Sequence, residues 1–129
     1  MVRLRSPLGR VLGLGSAKTG FGHWWGQRLS AAALVPLGLW FLLSMPGLSG
    51  ADYGTVTGWV SEPAHAILLI LLLATLLYHS NLGLQVVVED YVHHGASKVI
   101  SLVLIKFVHI ALAVAGVYAV AMLSAGSPV

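Results

Sequence analysis

His79 stands inside a long apolar run, in the sequence ATLLYHSNLGLQVVVEDYVHH. If that run is helical, the imidazole lies roughly 16 Å from Asp90 along the axis, near the middle of a bilayer. An ionisable group at such depth is costly and marks a functional site by default, and neutral imidazole is a common axial ligand of haem iron. The competing use is a neutral histidine that hydrogen-bonds between helices. Gly83, Val86 and Asp90 follow His79 at four, seven and eleven residues, which keeps them within about 40° on one helical face. A glycine one turn from the histidine leaves room for a flat ring, and equally for close helix packing. Asn81, Gln85 and Glu89 form a second polar stripe on another face, better placed against a partner helix or a polar cavity than against lipid.

At the end of the same run Asp90 and Tyr91 are adjacent, and His93 and His94 follow. A tyrosine hydroxyl beside a carboxylate can donate a hydrogen bond to a quinone carbonyl and help deliver protons to it at the membrane edge. The ordinary alternatives are an interfacial anchor for Tyr91 and a solvated helix end for Asp90 and the histidines. Further on, Lys106 and His109 occupy neighbouring parts of one helix face. In an idealised hairpin turning near His94, His109 falls level with His79. Either both bracket one haem, or His109 joins helices while another subunit supplies the second ligand. Lys106 either pairs with a haem propionate or snorkels toward the interface. Upstream, GFGHWWGQRLS gathers His23, Trp24, Trp25 and Arg28 ahead of the first apolar stretch. That is a tryptophan belt with a topology-setting arginine, or, for Arg28, a bidentate partner for a propionate.

The elements that must position these groups are membrane helices. Of the 129 residues, 57% are hydrophobic and only 9% charged, a balance suited to lipid. Roughly Leu29 to Met45, Ala64 to Val88 and Val99 to Ser124 are apolar, about 26, 37 and 39 Å as helices against a hydrocarbon core of about 30 Å. The expected fold is an all-α integral membrane protein with three transmembrane helices, about 29–48, 63–89 and 97–124. Pro36 falls inside the first, where it is expected to free one carbonyl and kink the helix. The connection MPGLSGADYGTVTGWVSEP reads as a loop or interfacial segment. The second connection, near Asp90 to Ser97, is short enough to make an antiparallel hairpin.

The chain contains no cysteine, which removes disulfides, cysteine-ligated iron–sulfur clusters and covalently attached c-type haem from it. Its net charge of +3 comes from basic residues scattered among apolar runs, not gathered on a soluble face, so no nucleic-acid partner is expected. The first twenty residues carry arginines but no apolar core or cleavage pattern, so no secretory signal is expected. Arg3, Arg5, Arg10, Lys18 and Arg28 precede the first span, Lys98 opens the third and Lys106 follows, while the first connection and the tail have none. Positive loops stay inside, which predicts a cytoplasmic N-terminus and second turn and an outward C-terminus. The expected organisation is a single membrane-anchor domain over 1–129, with a cytoplasmic N-terminal segment at 1–27 and the three-helix region at 28–129.

HSNLGLQVVVEDYVHH resembles the second-helix signature of the hydrophobic membrane anchor subunit of succinate dehydrogenase, respiratory complex II. That signature is a histidine, a glycine four residues on and an Asp-Tyr pair eleven and twelve residues on, here His79, Gly83, Asp90 and Tyr91. The stretch GLGSAKTGFGHWWGQRLSAAAL is similar to the same family's lead-in to its first helix. The resemblance implies a haem b held between this chain and a cytochrome b556 subunit, with His79 as one axial ligand of the iron, the partner supplying the second, and Arg28 near the propionates. It also implies that Tyr91, with Asp90 nearby, contributes to a ubiquinone site shared with the iron–sulfur subunit. Electrons would arrive from succinate through FAD and iron–sulfur clusters held only in the flavoprotein and iron–sulfur partner subunits. The chain would then be a multi-pass protein of the inner (cytoplasmic) membrane, serving the respiratory chain and the tricarboxylic acid cycle, with no catalytic residue of its own and no dehydrogenase activity alone. His109 lies outside the pattern. Two other classes stay in view: a structural membrane-assembly protein without cofactor, and a small proton-coupled transporter subunit relaying protons through His79 and Asp90.

Overall fold

The computed structural model describes residues 17–126, so Arg3, Arg5 and Arg10 lie outside the described residues. Four helices follow one another: α1 (Ala17–Leu48), α2 (Tyr53–Ser61), α3 (Pro63–Tyr91) and α4 (Gly95–Ser124). Three segments are long and apolar enough to cross a membrane, Gly20–Leu48 within α1 and the whole of α3 and α4. The all-α, three-span architecture is therefore as expected, and α3 and α4 begin and end within two residues of the expected bounds.

Two boundaries differ. α1 starts well before Leu29, because forming a helix and being buried in hydrocarbon are separate requirements. The segment AKTGFGHWWGQR is too polar for a bilayer interior but holds no proline, so the backbone ladder continues from it into the apolar part. Pro36 and Pro46 both lie inside α1, and the helix runs through them. The second difference is α2, in the segment read as a loop or interfacial stretch. Its glycines and β-branched residues are weak helix formers, but Asp52 caps it, the carboxylate accepting from Thr55 N–H at 2.9 Å. Hydrogen bonding to the side chain and backbone of Thr55 holds the Asp52 carboxyl below the usual carboxylate range. The cap is thus fully formed above that range and is lost only as the pH falls through the lowered value.

α3 opens with Pro63 in its first turn, where a missing N–H costs nothing. It closes with Lys98 Nζ donating to Glu89 O at 2.8 Å, across the three-residue turn to α4. The hairpin is tight: a methyl group at Gly116 of α4 would run into the Leu73 side chain of α3. α1 packs on α3 just as closely at Gly26, where an added Cβ would sit 2.6 Å from the Tyr78 hydroxyl oxygen. At the opposite end α2 is fastened by Ser61, whose hydroxyl lies 2.7 Å from Thr57 O and 2.9 Å from Leu123 O of α4. Beside it Trp59 stacks on His65 at 4.3 Å and on Trp40 at 5.7 Å.

The interior is thin. Among the described residues only Val60, Ala66, Leu82 and Ser30 are buried, while leucines, valines and aromatic residues along all three spans are exposed. In water such a surface would be untenable. Against lipid or a neighbouring subunit it is the expected exterior.

Candidate functional site

α3 presents its two central polar residues in different directions, because successive helical residues point about 100° apart. His79 faces α1 and Ser80 faces α4. On the α1 side Ser30, 6% exposed, is the one buried polar residue among those described. Its hydroxyl oxygen lies 2.7 Å from Gly26 O, 3.1 Å from Gln27 O and 2.9 Å from His79 Nδ1. A carbonyl can only accept, and a serine hydroxyl has one proton. With that proton directed at the backbone carbonyl one turn back, Ser30 Oγ is left to accept from Nδ1–H, the arrangement in which a neutral imidazole keeps its lone pair on Nε2. Nε2 meets the Gln27 side-chain amide nitrogen at 3.4 Å, a long contact from a donor.

His109 is used differently. Its Nδ1 donates to Ile105 O at 2.8 Å, and its Nε2 accepts from the Ser80 hydroxyl at 3.2 Å. Both ring nitrogens are spent within the α3–α4 pair. His109 thus hydrogen-bonds between α3 and α4, while the contacts of His79 are with α1.

Between α1 and α3, on the side toward the 92–94 turn, an open crevice of about 620 Å³ is lined by His23, Trp24 and Gln27 of α1 and by Gly83, Val86 and Glu89 of α3. Gly83 keeps that space clear: the only neighbour a Cβ there would touch is Gln27 Nε2, at 3.7 Å. Two buried polar atoms at its wall, His23 Nε2 and Gln27 Oε1, have no hydrogen-bond partner among the described residues. Arg28 is exposed and its guanidinium lies 5.6 Å over the ring of Trp24, at the rim of this crevice. The second polar stripe divides, with Gln85 donating to Glu89 at 2.9 Å, while Asn81 and Gln85 border a smaller crevice with Lys106 of α4. Lys106 is thus set on the α3–α4 face, away from His79.

Asp90 and Tyr91 are exposed at the last turn of α3, Tyr91 at 79%. Their distance from His79 along the axis is about 16–18 Å, so they lie apart from it at the helix end. Sequence reading located His79, Arg28, Asp90 and Tyr91 but passed over Ser30 and Gln27, which hold the imidazole. A signal existed: Gln27 and Ser30 are three residues apart, hence on one face, at the point where the first span turns apolar.

These features define a class: a small multi-pass membrane subunit, too thinly packed to stand alone in water, with its polar groups collected between helices. The chain belongs to the succinate dehydrogenase/fumarate reductase transmembrane subunit family, whose family model matches residues 2–120. It is 33% identical over 116 residues to the succinate dehydrogenase hydrophobic membrane anchor subunit of Rickettsia bellii, covering 90% of this chain and 93% of that one. The succinate dehydrogenase membrane anchor subunit of Reclinomonas americana is 29% identical over 104 residues, 72% of this chain and 80% of its own. The hydrophobic membrane anchor subunit of Paracoccus denitrificans is 27% identical over 126 residues, 98% and 97% of the two chains. No solved structure matches. By family, then, the chain is a membrane anchor of succinate dehydrogenase, one subunit of an enzyme complex.

Proposed function

We propose that the chain anchors the flavoprotein and iron–sulfur subunits of a succinate:ubiquinone oxidoreductase, binds haem b together with a cytochrome b556 subunit, and contributes to the ubiquinone site. The observation that carries the haem reading is the Ser30–His79 contact. An axial histidine needs its distal nitrogen unprotonated and its other ring N–H held by an acceptor. Ser30 Oγ, 2.9 Å from His79 Nδ1, is placed to be that acceptor, which supports Nε2 as the ligating nitrogen. The residues around it fit the group as well, since Gly83 leaves the wall open and Gln27, with an unpartnered carbonyl oxygen, has reason to move aside. When bound, haem b would supply a one-electron carrier inside the membrane.

The other assignments follow from placement. Arg28, free of any carboxylate among the described residues and set over Trp24 at the crevice rim, is suited to hold a propionate by two parallel N–H bonds. Tyr91 projects its hydroxyl away from the bundle, where it can donate to a quinone carbonyl, and Asp90 beside it can hold a proton for the reduced product. The asymmetry of the basic residues supports a cytoplasmic N-terminus and α3–α4 turn, which puts Tyr91 on the side of the soluble subunits in the inner membrane.

Optical spectra of the purified complex test the ligand assignment. His79→Ala is expected to abolish the haem b absorbance and His109→Ala to retain it. Haem kept by His79→Ala overturns the assignment, and a wild-type complex free of haem leaves the chain a structural assembly subunit.

A further inference from the structure

We propose that Ser30 is a positioning residue that fixes the tautomer, the ring orientation and the donor strength of His79; this rests on the haem reading above. Three independent features converge on it. Ser30 is buried at the α1–α3 seam, its hydroxyl lies 2.7 Å from Gly26 O, and its oxygen meets His79 Nδ1 at 2.9 Å. Serine hydroxyls rotate freely when exposed, but this one sits against the carbonyl one turn back, and donation there leaves its oxygen to accept from the ring.

The consequences are geometric and electronic. Geometrically, an imidazole on a single helix can turn about its side-chain torsions. The Ser30 contact fixes Nδ1 to α1, so Nε2 points into the seam toward Gln27. Electronically, an acceptor on Nδ1–H pulls that proton away from the ring and makes Nε2 a stronger donor. A stronger donor favours the ferric state, so the contact lowers the reduction potential of the iron it serves. The sequence of α1 thereby tunes a group whose ligand is on α3, and the close approach at Gly26 that lets the helices meet is part of the same device.

The test uses the assembled, haem-loaded complex and four residues at position 30. Ser30→Ala is expected to move the haem b midpoint potential upward, alter the low-spin electron paramagnetic resonance signal, and speed haem loss to apomyoglobin by roughly 10- to 100-fold, the range for lost outer-shell partners. Ser30→Thr, which keeps the hydroxyl, restores wild-type values. Ser30→Cys, close in size but a weak acceptor, shifts in the same direction by less. A purely structural role for Ser30 would change yield and thermal stability without this ordering. Wild-type potential and retention in Ser30→Ala, beside a haem-free His79→Ala complex, overturn the positioning role while the ligand reading stands. Haem retained by His79→Ala overturns the ligand reading and this inference with it. If Ser30→Ala fails to assemble, Ser30→Cys carries the comparison, and wild-type values in it overturn the proposal.

Discussion

His79 and His109 differ in what their Nδ1 atoms meet. His109 spends its proton on the carbonyl of its own helix and its lone pair on Ser80, which makes it a cross-brace. His79 instead meets another helix at both ring nitrogens, Nδ1 at Ser30 Oγ and Nε2 at the Gln27 amide. His79 was legible in the sequence because an ionisable residue in an apolar run is conspicuous, and so was its spacing to Gly83, Asp90 and Tyr91. The roles of Ser30 and Gln27 were not legible, since they depend on which face of α1 meets α3, and a single serine near a helix start carries no mark of that. Tyr91 poses the opposite case, a residue whose type is informative and whose surroundings within this chain are nearly empty. The reading makes its hydroxyl a donor to quinone, and one such hydrogen bond contributes about 1 kcal/mol. Tyr91→Phe should therefore slow ubiquinone reduction by about fivefold while electron delivery to a soluble artificial acceptor stays intact. Equal loss of both activities would identify Tyr91 as an assembly residue instead.

At the level of helices, hydropathy located the spans because length and apolarity are properties of the chain alone. It missed the first turns of α1, where the helix is polar, and it missed α2, whose formation depends on the Asp52 cap and on docking of Ser61 against Leu123. The close seams were equally invisible. Gly116 gives no sequence sign of facing Leu73, yet the α3–α4 contact depends on its lack of a side chain. Overpacking of this kind typically costs about 1–3 kcal/mol. Gly116→Val is expected to lower the thermal stability of the complex accordingly, and Leu73→Ala introduced alongside it should recover part of the loss, because the two sites share one contact. Simple addition of the two penalties would show that the seam does not close as described.

For the molecule as a whole, the decisive fact is that its charges and its apolar surface are segregated. The N-terminal part of α1 and the α3–α4 turn lie at one end, since Gly20 and Glu89 line the same crevice, and α2 with the end of α4 forms the other, joined through Ser61 and Leu123. Arg28 and Lys98 belong to the first end; Asp52 and Glu62 are the charges of the second. If positive residues stay inside, the first end is cytoplasmic, and under the proposed function it is also the end at which the soluble redox subunits dock beside Tyr91. The lack of cysteine makes both points testable together, because one introduced thiol is the only maleimide target in this chain, which is then purified and its label counted. Ala96 and Thr55 are exposed at opposite ends. In spheroplasts an impermeant maleimide should label Thr55→Cys and spare Ala96→Cys. In inside-out vesicles Ala96→Cys should stay protected until the soluble subunits are stripped, and then react. Labelling of Ala96→Cys from outside would reverse the orientation, and immediate labelling in unstripped inside-out vesicles would move the docking surface away from the helix end that carries Asp90 and Tyr91.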